Sequence, residues 1–400
     1  MKPRLIHLFF ALLLLLSASL VIAQDDTDAT IAGEIAIIGE DYNVYIWDEI
    51  GADLVQLTDD ALTTDDSTRR YQMPTWATDG RLAYFGIQVS REDYVTEVFV
   101  SAEGVSSEQP IYVGEDEVLN YAYWSPQNCS ATETCRELAM LLNSRVIGGL
   151  FVKLVEDQVI EGDARIIGRG GPFYFSWSAN GENMIWQRNN NRLDVYNLLS
   201  GEIDTQLDQQ PGRFQTPHWS PVDDRVLVGA RGEQRATTDL IVVEGGVATT
   251  LVEALEVPVV YFSWSPDGEQ VAYTTPNDVL TVVNARTGDT VSQSLVESVG
   301  PFFWSPDSSK IAFVTLATPE GTFTTNAGVR ARPVQQGMPD LAWSVLDVAT
   351  GESRRYSAFV PTQRMAYILT YFDQFAKSHS LWSPDSRYIV YSEFVESDDV

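Results

Sequence analysis

The side chains that could do chemistry in this 400-residue sequence are mostly carboxylates: 56 Asp and Glu stand against 26 Lys and Arg, three His and two Cys. A pair of carboxylates can cleave glycosidic bonds, and clustered Asp can bind Ca²⁺. No spacing singles out such a pair, and the acidic stretch 59–70 lacks the EF-hand pattern. Serine-hydrolase, zinc-peptidase and phosphate-loop motifs are also missing from the sequence. We therefore predict no catalytic residue, no metal and no cofactor.

Four of these carboxylates occupy the fifth position of a six-residue motif that recurs along the chain, as in "SWSPDG" at 263–268 and "FWSPDS" at 303–308. In this motif Pro presets φ for a turn, Asp caps turn N–H groups and Gly accepts positive φ. We therefore expect structural roles for Asp79, Asp267, Asp307 and Asp385. The seven copies are headed by Trp76, Trp124, Trp177, Trp219, Trp264, Trp304 and Trp382.

Each copy is followed by a short apolar, β-branched run, as in "QVAYTT" and "KIAFVT". Such runs between turn residues indicate strands, and a repeat period of about 40–50 residues is typical of propeller blades. The Trp is expected to fill the gap between neighbouring blades. The sequence thus predicts an all-β propeller of four-stranded blades. His218 and His379 precede motif tryptophans, and we expect them to pack in the core or to form hydrogen bonds.

The stretches "SWSPDGEQVAYTT" and "FWSPDSSKIAFVT" resemble the WD40-like (PD40) repeats of the TolB family of exported propellers. The resemblance covers about 34–394. It implies a propeller fold, but it is a weak guide to function because many unrelated proteins carry this repeat. We expect no separate α/β domain ahead of the propeller, in contrast to TolB itself.

Blade count follows from the two ends of the repeat. Strands b, c and d are expected within 34–58, and the Trp382 copy supplies strands a and b. Pairing N- and C-terminal strands in one blade removes exposed sheet edges and gives seven blades. One strand b is then left over, so the alternatives are eight blades or a chain that is a fragment.

Two long insertions are expected on one face, because b–c and d–a connections emerge at the same ends of the strands. They span 316–340 and 358–378, and such loops often carry function. Basic and aromatic residues stand out there on an acidic protein. We predict a rim that binds an anionic group, a sugar or a peptide; the alternative is that these side chains only pack the insertions in place. The candidate residues are Arg330, Arg332, Arg364, Tyr371 and Phe375.

The N-terminus has the pattern of an export signal: Lys2 and Arg4 precede an apolar run that ends in small residues at Ala23. We predict a signal peptide at 1–23, an acidic linker at 24–33 and a single propeller domain at 34–400. A retained membrane anchor is the alternative. Export allows a disulfide between Cys129 and Cys135, which flank a predicted hairpin tip.

The predicted function is a non-catalytic, exported binding or interaction scaffold, periplasmic, on the cell surface or extracellular. Its partner is expected to be a protein or a glycan. The formal charge of −30 disfavours nucleic acid. After signal removal no membrane span is expected. The alternative is a carbohydrate-active enzyme, a glycosidase or lyase, with carboxylates in the propeller channel.

Overall fold

The computed structural model describes most of the chain, and the statements below concern that part. The described residues are 21–22, 33–47, 54–91, 93–102, 105–107, 109–128, 136–156, 164–189, 191–209, 211–212, 216–234, 236–257, 260–275, 279–297, 299–317 and 340–394. Two compact units emerge from the contacts: Gly33–Val259, and Val260–Val400 with Met1–Ala32. The single domain over 34–400 stays a prediction.

The unit Gly33–Val259 contains a three-stranded sheet and four complete blades, all antiparallel. Each blade is named here by its motif tryptophan. The three-stranded sheet consists of β2 (Ile35–Ile38), β3 (Val44–Trp47) and β4 (Val55–Gln56). The Trp76 blade has six strands: β5 (Leu62–Thr63), β6 (Ser67–Trp76), β7 (Leu82–Ser90), β8 (Tyr94–Ala102), β9 (Val105–Ser106) and β10 (Tyr112–Glu115).

The next three blades have four strands each, in sequential order. The Trp124 blade consists of β11 (Glu117–Asn128), β12 (Arg136–Ser144), β13 (Gly149–Glu156) and β14 (Arg165–Gly168). The Trp177 blade consists of β15 (Pro172–Trp177), β16 (Asn183–Arg188), β17 (Arg192–Asn197) and β18 (Glu202–Leu207). The Trp219 blade consists of β19 (His218–Trp219), β20 (Val226–Arg231), β21 (Thr238–Glu244) and β22 (Val247–Leu255).

The other unit has two complete blades and a C-terminal hairpin. The Trp264 blade consists of β23 (Tyr261–Trp264), β24 (Gln270–Thr274), β25 (Thr281–Asn284) and β26 (Thr290–Gln293). The Trp304 blade consists of β27 (Val299–Trp304), β28 (Lys310–Leu316), β29 (Leu341–Asp347) and β30 (Ser353–Phe359). In the hairpin, Trp382 bridges Ile389 of β31 (Tyr388–Ile389). These sheets confirm the predicted fold, a seven-bladed β-propeller of four-stranded antiparallel blades.

An N-terminal strand pairs with the C-terminal hairpin. The N-terminal partner of β31 is β1 (Val21–Ile22), with Val21 opposite Ile389 and Ile22 opposite Tyr388. The strands expected in this role, within 34–58, instead form the separate three-stranded sheet of β2, β3 and β4. The strand that pairs with β31 therefore lies inside the segment predicted to be a signal peptide.

The motif turns have the predicted chemistry. The Ser265 hydroxyl donates to Asp267 Oδ1 at 2.5 Å, and the same oxygen accepts the Glu269 N–H at 3.0 Å. The Trp304 and Trp382 copies repeat both bonds. Partial burial would raise the pKa of Asp307, but the hydrogen bonds it accepts, from Ser305 first, outweigh burial and lower that pKa to about 2. The motif carboxylates are thus turn caps, as predicted.

Some motif tryptophans are hydrogen-bonded to the preceding blade of the same unit. Trp124 Nε1–H donates to Thr75 O at 2.9 Å, and Trp382 Nε1–H donates to Phe303 O at 2.9 Å. Each acceptor is the residue immediately before the preceding motif Trp. Six of the seven indoles are at most 8% exposed, and Trp76 is half-buried. Each buried indole contributes about 2–3 kcal/mol of apolar burial, so the repeat both forms and joins the blades.

Candidate binding surface on a helical insertion

The connection after β30 forms two helices, α1 (Gln363–Thr370) and α2 (Phe372–Ser378). The sequence pattern predicts an insertion at 358–378, but it does not predict these helices. Thr362 caps α1 by accepting the Met365 N–H at 3.2 Å. Met365 and Leu369, one turn apart, are both buried. This cap and this spacing are the sequence signals that could have revealed the helix.

The insertion is held on the propeller by Phe372, which is fully buried. Its ring centroid lies 4.7 Å from that of Phe302 and 5.7 Å from that of Phe303, both on β27. It lies 5.6 Å from Tyr261 at the start of β23. The second helix therefore packs against the innermost strands of two adjacent blades.

The outer side of the insertion carries two tyrosines. Tyr367 is 42% exposed and Tyr371 is 39% exposed, and their ring centroids are 4.7 Å apart. Phe375, a predicted site residue, is only 2% exposed and packs against Tyr367 at 5.7 Å. Of the two predicted aromatic residues, Tyr371 is thus exposed enough to contact a ligand, whereas Phe375 is buried and packs against the Tyr367 ring.

The predicted arginines fall in two different segments. Arg364 lies on α1, exposed and one turn before Tyr367. Arg330 and Arg332 lie within 318–339, outside the described residues, and so does most of the 316–340 insertion. The structure therefore brings Arg364, Tyr371 and Phe375 together on one helical hairpin.

Titratable groups lie beneath this surface. Burial raises the pKa of Tyr261, and the negative charge of Asp373 raises it further. Burial also lowers the pKa of Lys377 to about 7 and that of His379 to about 4. The His379 ring packs against Phe375 at 4.9 Å, and its Nδ1 lies 2.9 Å from the Ser378 hydroxyl. His379 is therefore a neutral packing residue near pH 7, in agreement with the sequence analysis.

Other predicted features have the following places. His218 is 1% exposed on β19, and Cys129 and Cys135 lie in 129–135, outside the described residues. Among the residues that the structure describes, no group of three or more His, Cys, Asp or Glu is placed to hold a metal ion. In the same residues, no helix has the length and apolar character needed to cross a membrane.

No protein-family model and no curated protein matches the sequence. Solved structures similar to this chain include a TolB-like protein of Agrobacterium tumefaciens, with 14% identity and a TM-score of 0.41 over 92% of this chain and all of that one. The propeller domain of the Trilobed protease of Pyrococcus furiosus has 11% identity and a TM-score of 0.48 over 76% and 86% of the two chains. The C-terminal WD40 domain of Sif2 has 12% identity and a TM-score of 0.44 over 84% and 99%. Similarities this distant carry no conclusion about function.

Proposed function

We propose that this protein is an exported, non-catalytic binding module built on a TolB-like repeat, and that the α1–α2 hairpin is part of its contact surface. The observation that carries the proposal is the Tyr367–Tyr371 pair. Both rings are about 40% exposed, whereas Met365, Leu369 and Phe372 bury the other side of the hairpin. The tyrosines are therefore displayed on a fixed platform.

Such a platform favours binding for two physical reasons. A tyrosine brings a large contact area with only two side-chain torsions to order. Because the helices already pack on β23 and β27, little backbone entropy is lost when a ligand binds. A ring face can cover the apolar side of a sugar or a partner side chain, while the hydroxyl forms a hydrogen bond at the edge.

The negative charge of the protein limits which classes of partner it can bind. The chain has a formal charge of −30, so polyanions such as nucleic acid are repelled at long range. Arg364, an exposed cationic residue, lies one turn before Tyr367 on the same helix. A glycan or a protein segment with hydroxyl or single carboxylate groups fits this combination.

The test uses arrayed glycans and arrayed peptides as probes for wild type and for a Tyr367→Ala/Tyr371→Ala variant. We expect probes that bind wild type to bind the double variant at least tenfold more weakly. Leu199→Ala is the matched control, because Leu199 is also strongly exposed (70%) but lies on a c–d turn of the Trp177 blade. Equal binding by wild type and the double variant would contradict the proposal, as would no binding on either array.

The absence of catalysis is tested separately. Wild type is incubated with a panel of polysaccharides, and newly released reducing ends are measured. We expect none above background. If polysaccharide were cleaved, and if a single Asp or Glu substitution abolished that cleavage, the protein would be a carbohydrate-active enzyme and the proposal of a non-catalytic module would be wrong.

A further inference from the structure

Four arginines lie on neighbouring loops of two adjacent blades, far along the chain from the helical insertion. Three segments contribute: the b–c turn 145–148 of the Trp124 blade, the d–a loop 168–171 and the stretch 188–194 of the Trp177 blade. We call the four residues Arg145, Arg169, Arg188 and Arg192 the arginine rim. From its construction and charge we propose that the rim is a second binding site, specific for short acidic oligosaccharides that carry carboxylate or sulfate groups.

Backbone and side-chain hydrogen bonds fix the three segments against one another. Gly171 N–H donates to Leu150 O at 3.4 Å, next to the first turn. Asn189 N–H donates to Gly171 O at 3.1 Å, and Asn189 Nδ2 donates to Gly170 O at 2.9 Å. Arg188 Nη1 donates to Arg169 O. The d–a loop is thus bonded to β13 on one side and to the 189–191 turn on the other.

Two glycines make this close approach possible. Gly170 and Gly171 have φ of 78° and 73°, in the left-handed region. A Cβ on Gly171 would lie 2.3 Å from Asn189 Oδ1, and one on Gly170 would lie 3.3 Å from Arg188 Nη1. The loop is therefore a shaped element that keeps Arg169 beside the arginines of the next blade.

The rim reverses the sign of the protein's charge locally. Its three segments hold four arginines and one carboxylate, Asp194, so their formal charge is +3 in a chain of −30. Asp194 is 1% exposed and is shared: Arg188 Nε lies 2.5 Å from Oδ2 and Arg192 Nε lies 2.9 Å from Oδ1. No carboxylate of the described residues pairs with Arg145 or Arg169, and both are exposed.

The chemistry of these groups defines the ligand. A guanidinium binds carboxylate or sulfate through two parallel N–H groups. The neighbouring exposed side chains are the amides of Asn189 and Asn191, which bond hydroxyls, with Val146 the apolar neighbour on the first turn. This donor-rich, mostly polar surface fits a sugar that carries acidic groups better than it fits a peptide.

The negative charge of the protein surface outside the rim limits the length of the ligand. At physiological ionic strength charges are screened beyond about 8 Å, so a short oligosaccharide confined to the rim is attracted. A long polyanion would extend over the acidic surface and be repelled. We therefore expect affinity to fall, not rise, when the chain grows well beyond the rim.

The experiment measures binding of four probes by calorimetry: alginate-derived oligomannuronate, heparin-derived oligosaccharide, neutral malto-oligosaccharide and oligoglutamate. We expect wild type to bind oligomannuronate, the heparin fragment or both. Comparison of oligomannuronate, which carries carboxylates, with the heparin fragment, which also carries sulfates, identifies which anionic group is recognised. Arg145→Gln/Arg169→Gln should weaken binding at least tenfold and reduce its dependence on salt. These two arginines are chosen because their substitution leaves the ion pairs of Asp194 with Arg188 and Arg192 intact.

The control variant is Arg286→Gln/Arg354→Gln, which removes two exposed arginines outside the rim and should bind as wild type does. The proposal is overturned if wild type binds no acidic sugar, if it binds the neutral sugar equally well, or if oligoglutamate binds more tightly than both acidic sugars. Equal affinity of wild type and the rim variant also overturns it. None of these outcomes depends on Tyr367 or Tyr371.

Discussion

The Ser308 hydroxyl accepts a hydrogen bond from the Asp267 N–H at 3.1 Å, and this bond links the motif turns of two adjacent blades. Ser386 accepts the Asp307 N–H at the same distance, one blade later. Both serines have a φ of 61° and occupy the place of Gly268, whose φ is 70°. A non-glycine residue in this conformation costs about 1–2 kcal/mol, and the bond between turns offsets that cost.

Ser308→Ala should therefore destabilise the protein by about 1–2 kcal/mol, because it keeps the unfavourable φ and leaves the Asp267 N–H without its acceptor. Ser308→Gly loses the same bond but relieves the backbone, so its change in unfolding free energy should be close to zero. Urea unfolding of both variants provides the measurement. A glycine variant less stable than the alanine variant would contradict this account.

Gly181→Ala should cost more than Gly80→Ala, although both glycines have positive φ, 72° and 87°. A Cβ on Gly181 would meet Ser125 Oγ of the preceding blade at 2.9 Å, whereas one on Gly80 would meet nothing within 4 Å. The φ penalty is shared, so crowding should add about 1–3 kcal/mol at Gly181 alone. Thermal melts of the two variants measure the two losses of stability. Equal losses would contradict this prediction, because they would show that the neighbouring blade moves to accommodate the added Cβ at Gly181.

Trp382→Phe should destabilise the protein more than Trp304→Phe. Both indoles are buried, but Trp382 Nε1–H donates to Phe303 O, whereas Trp304 Nε1 has no hydrogen-bond partner among the described residues. The first substitution leaves a carbonyl without its donor, which adds about 1–2 kcal/mol. Denaturant unfolding measures the difference, and identical losses would mean that packing alone makes the tryptophans important.

Acidification should weaken the fold through His379, whose pKa burial lowers from 6.5 to about 4. Between these two values the unfolded chain binds a proton that the folded protein excludes. Stability therefore falls as the pH is lowered from 6.5 to about 4 and is not affected further by this group below that range. His379→Gln should remove this part of the pH dependence. Unfolding free energies of both proteins at pH 7.5 and 4.5 give the comparison, and parallel losses would refute it.

Cleavage of the predicted export signal should leave Gln24 as the first residue. The basic residues Lys2 and Arg4, the apolar run and the small residues before Ala23 are the pattern that signal peptidase requires. Processing would also remove β1 and leave the β31 edge without that partner. N-terminal sequencing and intact mass of the exported protein check this, and retention of Met1 in a membrane fraction would favour the anchor.

Most of the fold could be predicted because its determinants are local. A motif such as Ser263–Gly268 encodes the end of an inner strand, a turn cap and a left-handed residue within six positions. Variants of this motif occur seven times in the sequence. The bonds of Asp267 and the indole of Trp124 have the predicted roles. Repetition made these assignments robust because each copy supports the others.

The candidate sites were less visible for physical reasons. The α1 helix is eight residues long, and its cap at Thr362 and its buried Met365 and Leu369 lie between strand-forming segments. The arginine rim was missed because Arg145, Arg169 and Arg192 belong to three separate segments that only the stacking of blades brings together. The large excess of acidic residues also concealed this local reversal of charge.

In the unit Gly33–Val259, the bond from Trp124 to Thr75 O lies at the carboxyl end of an inner strand, whereas the loops of the arginine rim lie at the opposite ends of the strands. Segments of very different length and chemistry can therefore replace one another at those opposite ends without disturbing the interlocks. A protein engineer could exchange the 168–171 loop for foreign recognition sequences and retain the scaffold, in the way antibody frameworks accept new hypervariable loops.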